Sequence, residues 1–196
     1  MVEREKVVYI LPGFLQKPTE NQYLNIGIFY QQHGIRPVPV EIDWRKGPFS
    51  SYVQTFQEGY PVNEGEERYI FGFSFGAIVA FLDAGQRSYK HALLSSLPAY
   101  FKEDIEFVKT RRAISKRWEE DIASLDFNLL ATKVTGPVSL VVGQFDRPEL
   151  IVRNQRLFEL LSGTKGLTIV QGVGHDLSDP TYQKVVSIQV ANLGVN

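Results

Sequence analysis

The sequence predicts an α/β protein: a doubly wound, mostly parallel sheet of about six strands with helices on both faces. Three observations carry that expectation. Short runs of β-branched and aromatic residues recur along the chain, longer amphipathic stretches separate them, and glycines or prolines mark the joins. Strands separated by helices pair in parallel through right-handed crossovers.

The elements follow in order. Strands are expected at Val7 to Leu11, Pro37 to Ile42, Arg68 to Phe71, His91 to Leu94, Val138 to Val142 and Leu167 to Val170. Each run is mostly uninterrupted, as strands covered on both faces are. Helices are expected at Thr19 to His33, before Gly34, and at Phe49 to Glu58, before Gly59. Further helices run from Phe75 to Ala84, from Arg147 to Leu161, and from Tyr182 to Leu193 behind the start signal Asp179-Pro180. From Pro98 to Thr135 the charges cluster and no strand signal appears. One or two surface helices are expected there, as an ordinary crossover with a long exit or as a small cap over a site (98–135). No repeat or linker divides the chain, so residues 1–196 read as one domain.

Composition narrows the function classes. Of 196 residues, 43% are apolar and 22% charged, which suits a folded domain. Twenty-one basic residues against twenty-two acidic ones give a net charge of −1, so no field draws nucleic acid or anionic membrane. The absence of cysteine removes disulfides, thiolate metal sites and cysteine nucleophiles. The opening Met1-Val2-Glu3-Arg4-Glu5-Lys6 is charged and leads into a short strand, too short for a signal peptide or a membrane span. A cytoplasmic location is the expectation.

The most informative stretch is Arg68 to Ala80. An apolar strand runs into Gly72-Phe73-Ser74-Phe75-Gly76, and a helix of small residues follows at once. This is the G-x-S-x-G turn in the strand–turn–helix setting it requires. The serine must stand at the tip of a sharp turn for its hydroxyl to project above the sheet, and the glycines let strand and helix approach. The backbone N–H of Phe75, at the helix start, is then placed to meet a developing oxyanion. The alternative is a tight βα turn with an incidental serine.

With this turn the chain resembles the α/β-hydrolases, small single-domain serine esterases in particular, over nearly its full length. That resemblance implies a triad in the order Ser, acid, His. Val138 to Asp146 is a strand followed by G-x-x-D, which by the resemblance makes Asp146 the acid that orients and stabilises the imidazole. A competing role for Asp146 is the N-cap of the helix at Arg147-Pro148. The resemblance places the general base in Gly174-His175 after the last strand. His33, at a helix end, and His91, at a strand start, are poorly placed for it. Asp176 and Asp179 beside His175 are expected in solvent or capping the last helix. The segment Leu11-Pro12-Gly13-Phe14 matches the family's H-G-x, with Pro12 in place of His, which makes the Phe14 N–H the second oxyanion donor. A simple Pro-Gly turn is the alternative. Among the aromatics near these turns, Phe73, Trp44, Tyr100 and Phe101 are candidates to line a substrate pocket.

The expected activity is hydrolysis of an ester-like bond in a small or acyl-chain substrate, carboxylesterase-like, through an acyl-enzyme. No metal or organic cofactor is implied. A thioesterase, acyltransferase or amidase with the same triad is the alternative, as is a binding protein on a hydrolase fold.

Overall fold

Alternation within β1 (Glu5–Leu11) divides the interior into two layers. Val7, Tyr9 and Leu11 face one side, and Val8 and Ile10 face the other. The computed structural model describes residues 4–45, 47–101 and 116–194. In it β1 joins β2 (Arg36–Pro39), β3 (Glu66–Phe73), β4 (His91–Ser95), β5 (Val138–Gly143) and β6 (Lys165–Val170). The order is β2-β1-β3-β4-β5-β6, and every pairing is parallel.

The helices divide between the two layers. Helices α1 (Asn21–Gln31) and α7 (Pro180–Ala191) cover Val8, Ile10, Phe71, Phe73, Leu93 and Val141. On the opposite face lie α2 (Phe49–Gly59), α3 (Phe75–Ala84), α4 (Lys116–Ser124), α5 (Phe127–Lys133) and α6 (Pro148–Leu160). Central strands are buried on both faces, and their sequences are correspondingly apolar throughout.

The edge strands depart most from expectation. β2 ends at Pro39 instead of Ile42. Its two prolines lack ladder donors, which confines them to an edge, and only the Val40 N–H continues the bonding, to Ile10 O at 3.0 Å. β6 begins two residues early, at Lys165-Gly166, where no apolar run announces it. Helix α1 is shorter than expected at both ends, and α7 starts at Pro180, capped by the Asp179 carboxylate on the N–H groups of Thr181 and Tyr182.

Residues 102–115 of the proposed cap lie outside the described residues. The described remainder packs into the helical layer: Phe127 stacks on Phe81 with centroids 5.2 Å apart, and Ser50 Oγ donates to Asp121 Oδ1 at 2.8 Å.

From β1 the chain goes outward to β2 and then returns past β1 to β3. Helices α1 and α2 therefore leave on opposite faces, and a crevice opens at the carboxyl ends of β1 and β3.

Candidate active site

The turn after β3 stands at that crevice. Ser74 has φ 53° and ψ −121°, a strained conformation for a residue with a Cβ. The turn persists because its surroundings leave no alternative. A Cβ on Gly72 would sit 2.6 Å from Ala77 Cα, and one on Gly76 would overlap the Leu11 and Pro12 carbonyl oxygens. The Ser74 N–H is tied to Ser95 O at 2.9 Å. Its side chain, partly exposed, makes no cap bond to α3 and is left to other partners.

Two loops from the far side of the sheet meet it. After β5 the chain turns through Gly143-Gln144-Phe145-Asp146, and after β6 through Gly172-Val173-Gly174-His175. They are stapled together by Phe145 N to Val173 O at 2.7 Å and Gly172 N to Gln144 Oε1 at 2.9 Å. A Cβ on Gly143 would strike the Val173 and Gly174 carbonyls, so the close approach requires glycine there.

The result is a line of side chains from three remote segments. His175 Nε2 lies 2.9 Å from Ser74 Oγ, and His175 Nδ1 lies 2.9 Å from Asp146 Oδ2. A carboxylate can only accept, so Nδ1 carries the imidazole proton and Nε2 is left to accept from the serine. Asp146 does not cap α6. Arg147 occupies that position, and Asp146 Oδ1 accepts the Arg147 N–H at 2.8 Å. Burial pushes the Asp146 pKa up, but the hydrogen bond and charge of His175, the Arg147 N–H and the Ser96 hydroxyl outweigh it and hold the carboxyl below its usual range.

The other candidates for these roles are engaged elsewhere. His33 is exposed and its Nδ1 lies 2.8 Å from Phe29 O. His91 is buried against Ser139 Oγ at 3.0 Å, and desolvation lowers its pKa to about 4. Asp176 bonds Ser178, and Asp179 caps α7.

Beyond β1, Gly13 to Gln16 form a tight turn closed by Gln16 N to Gly13 O at 3.0 Å, with Leu15 at φ 60°. The buried Tyr23 hydroxyl accepts the Gly13 N–H at 2.8 Å and donates to Gln16 Oε1 at 2.5 Å, which fixes the turn from below. Phe14 and Phe75 meet there, ring centroids 5.3 Å apart.

The four aromatics expected to line a pocket are all buried. Phe73 lies under the imidazole, 5.0 Å between centroids. Trp44 packs edge-on against Phe14, Phe75 and Tyr52. Tyr100 and Phe101 lie beneath the guanidinium groups of Arg153 and Arg156. The aromatics exposed at the rim are Phe14 and Phe145. A cavity of about 560 Å³ is lined by residues that include Gln16, Lys17, Val40, Tyr52, Phe56 and Tyr60. Among the described residues no group of His, Asp or Glu could hold a metal ion, and no helix is long and apolar enough to cross a membrane.

Solved structures place this architecture. Est1E from Butyrivibrio proteoclasticus superposes with a TM-score of 0.80 at 13% identity, covering 99% of this chain and 90% of its own. The chain has the α/β-hydrolase fold. A monoacylglycerol lipase from Paleococcus ferrophilus (0.74, 15%, covering 97% and 96%) and a dienelactone hydrolase from Anabaena variabilis (0.70, 15%, covering 99% and 87%) share it. Est1E has also been solved with ferulic acid bound. No protein-family model and no curated protein matches the sequence.

Sequence reasoning on this α/β-hydrolase fold missed Tyr23 and Gln16 beneath the Phe14 turn, and Ser96 and Tyr182 beside Asp146. The polar pair Ser95-Ser96, closing an otherwise apolar strand at the sheet's carboxyl edge, was the available signal.

Proposed function

We propose that the protein is a serine hydrolase that cleaves ester bonds in a small or acyl-chain substrate. The supporting observation is the unbroken hydrogen-bonded line from Ser74 through His175 to Asp146, held by a strained serine turn. His175 Nε2 removes the Ser74 proton as Oγ attacks the carbonyl carbon, and Asp146 stabilises the imidazolium that forms. The negative charge on the carbonyl oxygen is met by the backbone N–H groups of Phe14 and Phe75, the second of which also lies at the positive end of α3. Collapse of the tetrahedral adduct expels the alcohol, which takes its proton from His175. A water deprotonated by the same imidazole then attacks the acyl-serine and releases the acid.

The likeness to esterases and a lipase supports ester chemistry, and the exposed Phe14 and Phe145 give an acyl or aryl group apolar surface beside the serine. The test is a panel of p-nitrophenyl esters of increasing acyl length plus a feruloyl ester, run on wild type and Ser74→Ala, with fluorophosphonate labelling alongside. Wild type should be labelled at Ser74 and turn over at least one ester, and the variant should do neither. Turnover that survives in Ser74→Ala refutes the reading.

A further inference from the structure

The mechanism above leaves the cavity of about 560 Å³ without a role, although its volume lies within the about 300–1,000 Å³ of small-molecule sites. Its walls come from the segments that leave the carboxyl ends of the adjacent strands β1 and β2, and from α2. A run of rings joins it to the serine turn. Phe75, next to Ser74, packs against Phe14 and Trp44, with centroids 5.3 and 6.2 Å away. Trp44 in turn lies 5.0 Å from Tyr52, which lines the cavity and whose hydroxyl donates to Trp44 O at 2.5 Å.

Gln16 belongs to both places. Its N–H closes the turn that carries the Phe14 N–H, and its side chain lines the cavity. The Tyr23 hydroxyl accepts from Gly13 and donates to Gln16 Oε1, which fixes the amide with its oxygen toward Tyr23. The amide NH₂ is left with two donors and no partner among the described residues.

The rest of the lining decides what fits. Lys17 and Arg45 bring two positive charges, and Glu41 and Asp43 two negative ones, so an ionic group gains no net field. Arg45 and Asp43 already pair, Nε to Oδ1 at 2.9 Å. An alkyl chain would strip water from these charges and replace none of its hydrogen bonds. Hydroxyl groups suit such a wall, because each donates and accepts and so can bond carboxylate, amide and ammonium alike. The C–H groups of a saturated ring have Tyr52, Phe56 and Tyr60 to pack against. We propose that this cavity holds the alcohol half of the substrate, and that this alcohol is a neutral sugar ring. The acyl half then keeps the exposed apolar rim of Phe14 and Phe145. This inference rests on the serine hydrolase reading.

The test holds the acyl group constant and varies the alcohol: ethyl butyrate, cyclohexylmethyl butyrate and a butyrylated methyl glucoside, run on the full chain. Wild type should hydrolyse the glucoside ester with kcat/KM about 10-fold above both others, the scale of one or two neutral hydrogen bonds. Thr55→Trp adds bulk to the cavity wall from an exposed position of α2, and Gly59→Phe does so where a Cβ meets nothing within 4 Å. Each should erase the preference while kcat/KM for ethyl butyrate stays within twofold. A preference for cyclohexylmethyl butyrate, no preference, or one that survives both variants overturns the proposal. Binding separates that failure from failure of the hydrolase reading. Saturation transfer from the protein to free methyl glucoside should appear in wild type and in Ser74→Ala, and vanish in Thr55→Trp. If no ester is hydrolysed, the hydrolase reading falls and the transfer alone decides the cavity. Its absence from wild type overturns the assignment.

Discussion

Two buried carboxylates, at opposite ends of the sheet, sit in networks of similar composition and do opposite things. At the amino ends of the strands Asp83 is completely buried. It receives the Tyr89 hydroxyl, Gln57 Nε2 at 2.8 Å and, at 3.7 Å, Arg87 Nε. Arg68 closes the cluster, bonded to Tyr89 and stacked between the Tyr9 and Tyr89 rings. At the carboxyl ends Asp146 is almost as buried, 5% exposed, but its network runs outward to an imidazole that is 39% exposed and a partly exposed serine. Burial therefore does not separate the two. Direction and strain do: among the described residues, the three non-glycine residues with positive φ cluster at the carboxyl edge. A closed network can be relaxed, whereas an open one must be held in place by backbone that would rather be elsewhere.

Substitutions break this comparison in opposite ways. The largest effect is expected at the open end. His175→Ala should lower ester hydrolysis by about 10⁴-fold, with an unfolding midpoint close to that of wild type, read from initial rates and thermal melts. Asp83→Ala should do the reverse. Removing it leaves the Arg68 and Arg87 charges uncompensated in and beside the core, and urea unfolding should show a loss of about 3–5 kcal/mol while kcat of the folded fraction stays within twofold.

A third test uses pH. His91, in the middle layer of the sheet, has its pKa lowered by burial to about 4 from an ordinary 6.5. Between those values the unfolded chain binds a proton that the folded chain does not. Stability therefore falls as pH drops from about 6.5 to about 4, by about 3 kcal/mol in all, and is unaffected by this group above that window. His91→Gln should flatten the slope in urea titrations at pH 7, 6, 5 and 4. Tyr23→Phe should give the smallest change. It strips the acceptor from the Gly13 N–H beneath the Phe14 turn, so kcat should drop by a factor equivalent to about 1 kcal/mol, with the fold retained by circular dichroism.

The two ends were also unequally legible. Ser74, Asp146 and His175 were nameable because the turns that carry them need particular residues: glycines at 72 and 76 for the strand–helix approach, glycine at 143 where the histidine loop presses on the acid loop. Such steric demands leave a local mark. Pocket aromatics left none. Phe101 and Phe14 are equally apolar in sequence, yet one is 2% exposed and the other 41%.

From the sequence alone came the alternation of strands and helices, the parallel sheet and the three turns, since each is set by residues near one another in the chain. Tertiary structure alone decided where β2 stops and where β6 starts, because edge strands are defined by their neighbour and not by their own apolar run. It also decided that Ser96, Tyr182 and Val141 would meet: the turn after β4, helix α7 and strand β5 are remote in the chain, and only the folding of the sheet brings the Tyr182 hydroxyl 3.0 Å from Ser96 Oγ and from Val141 O.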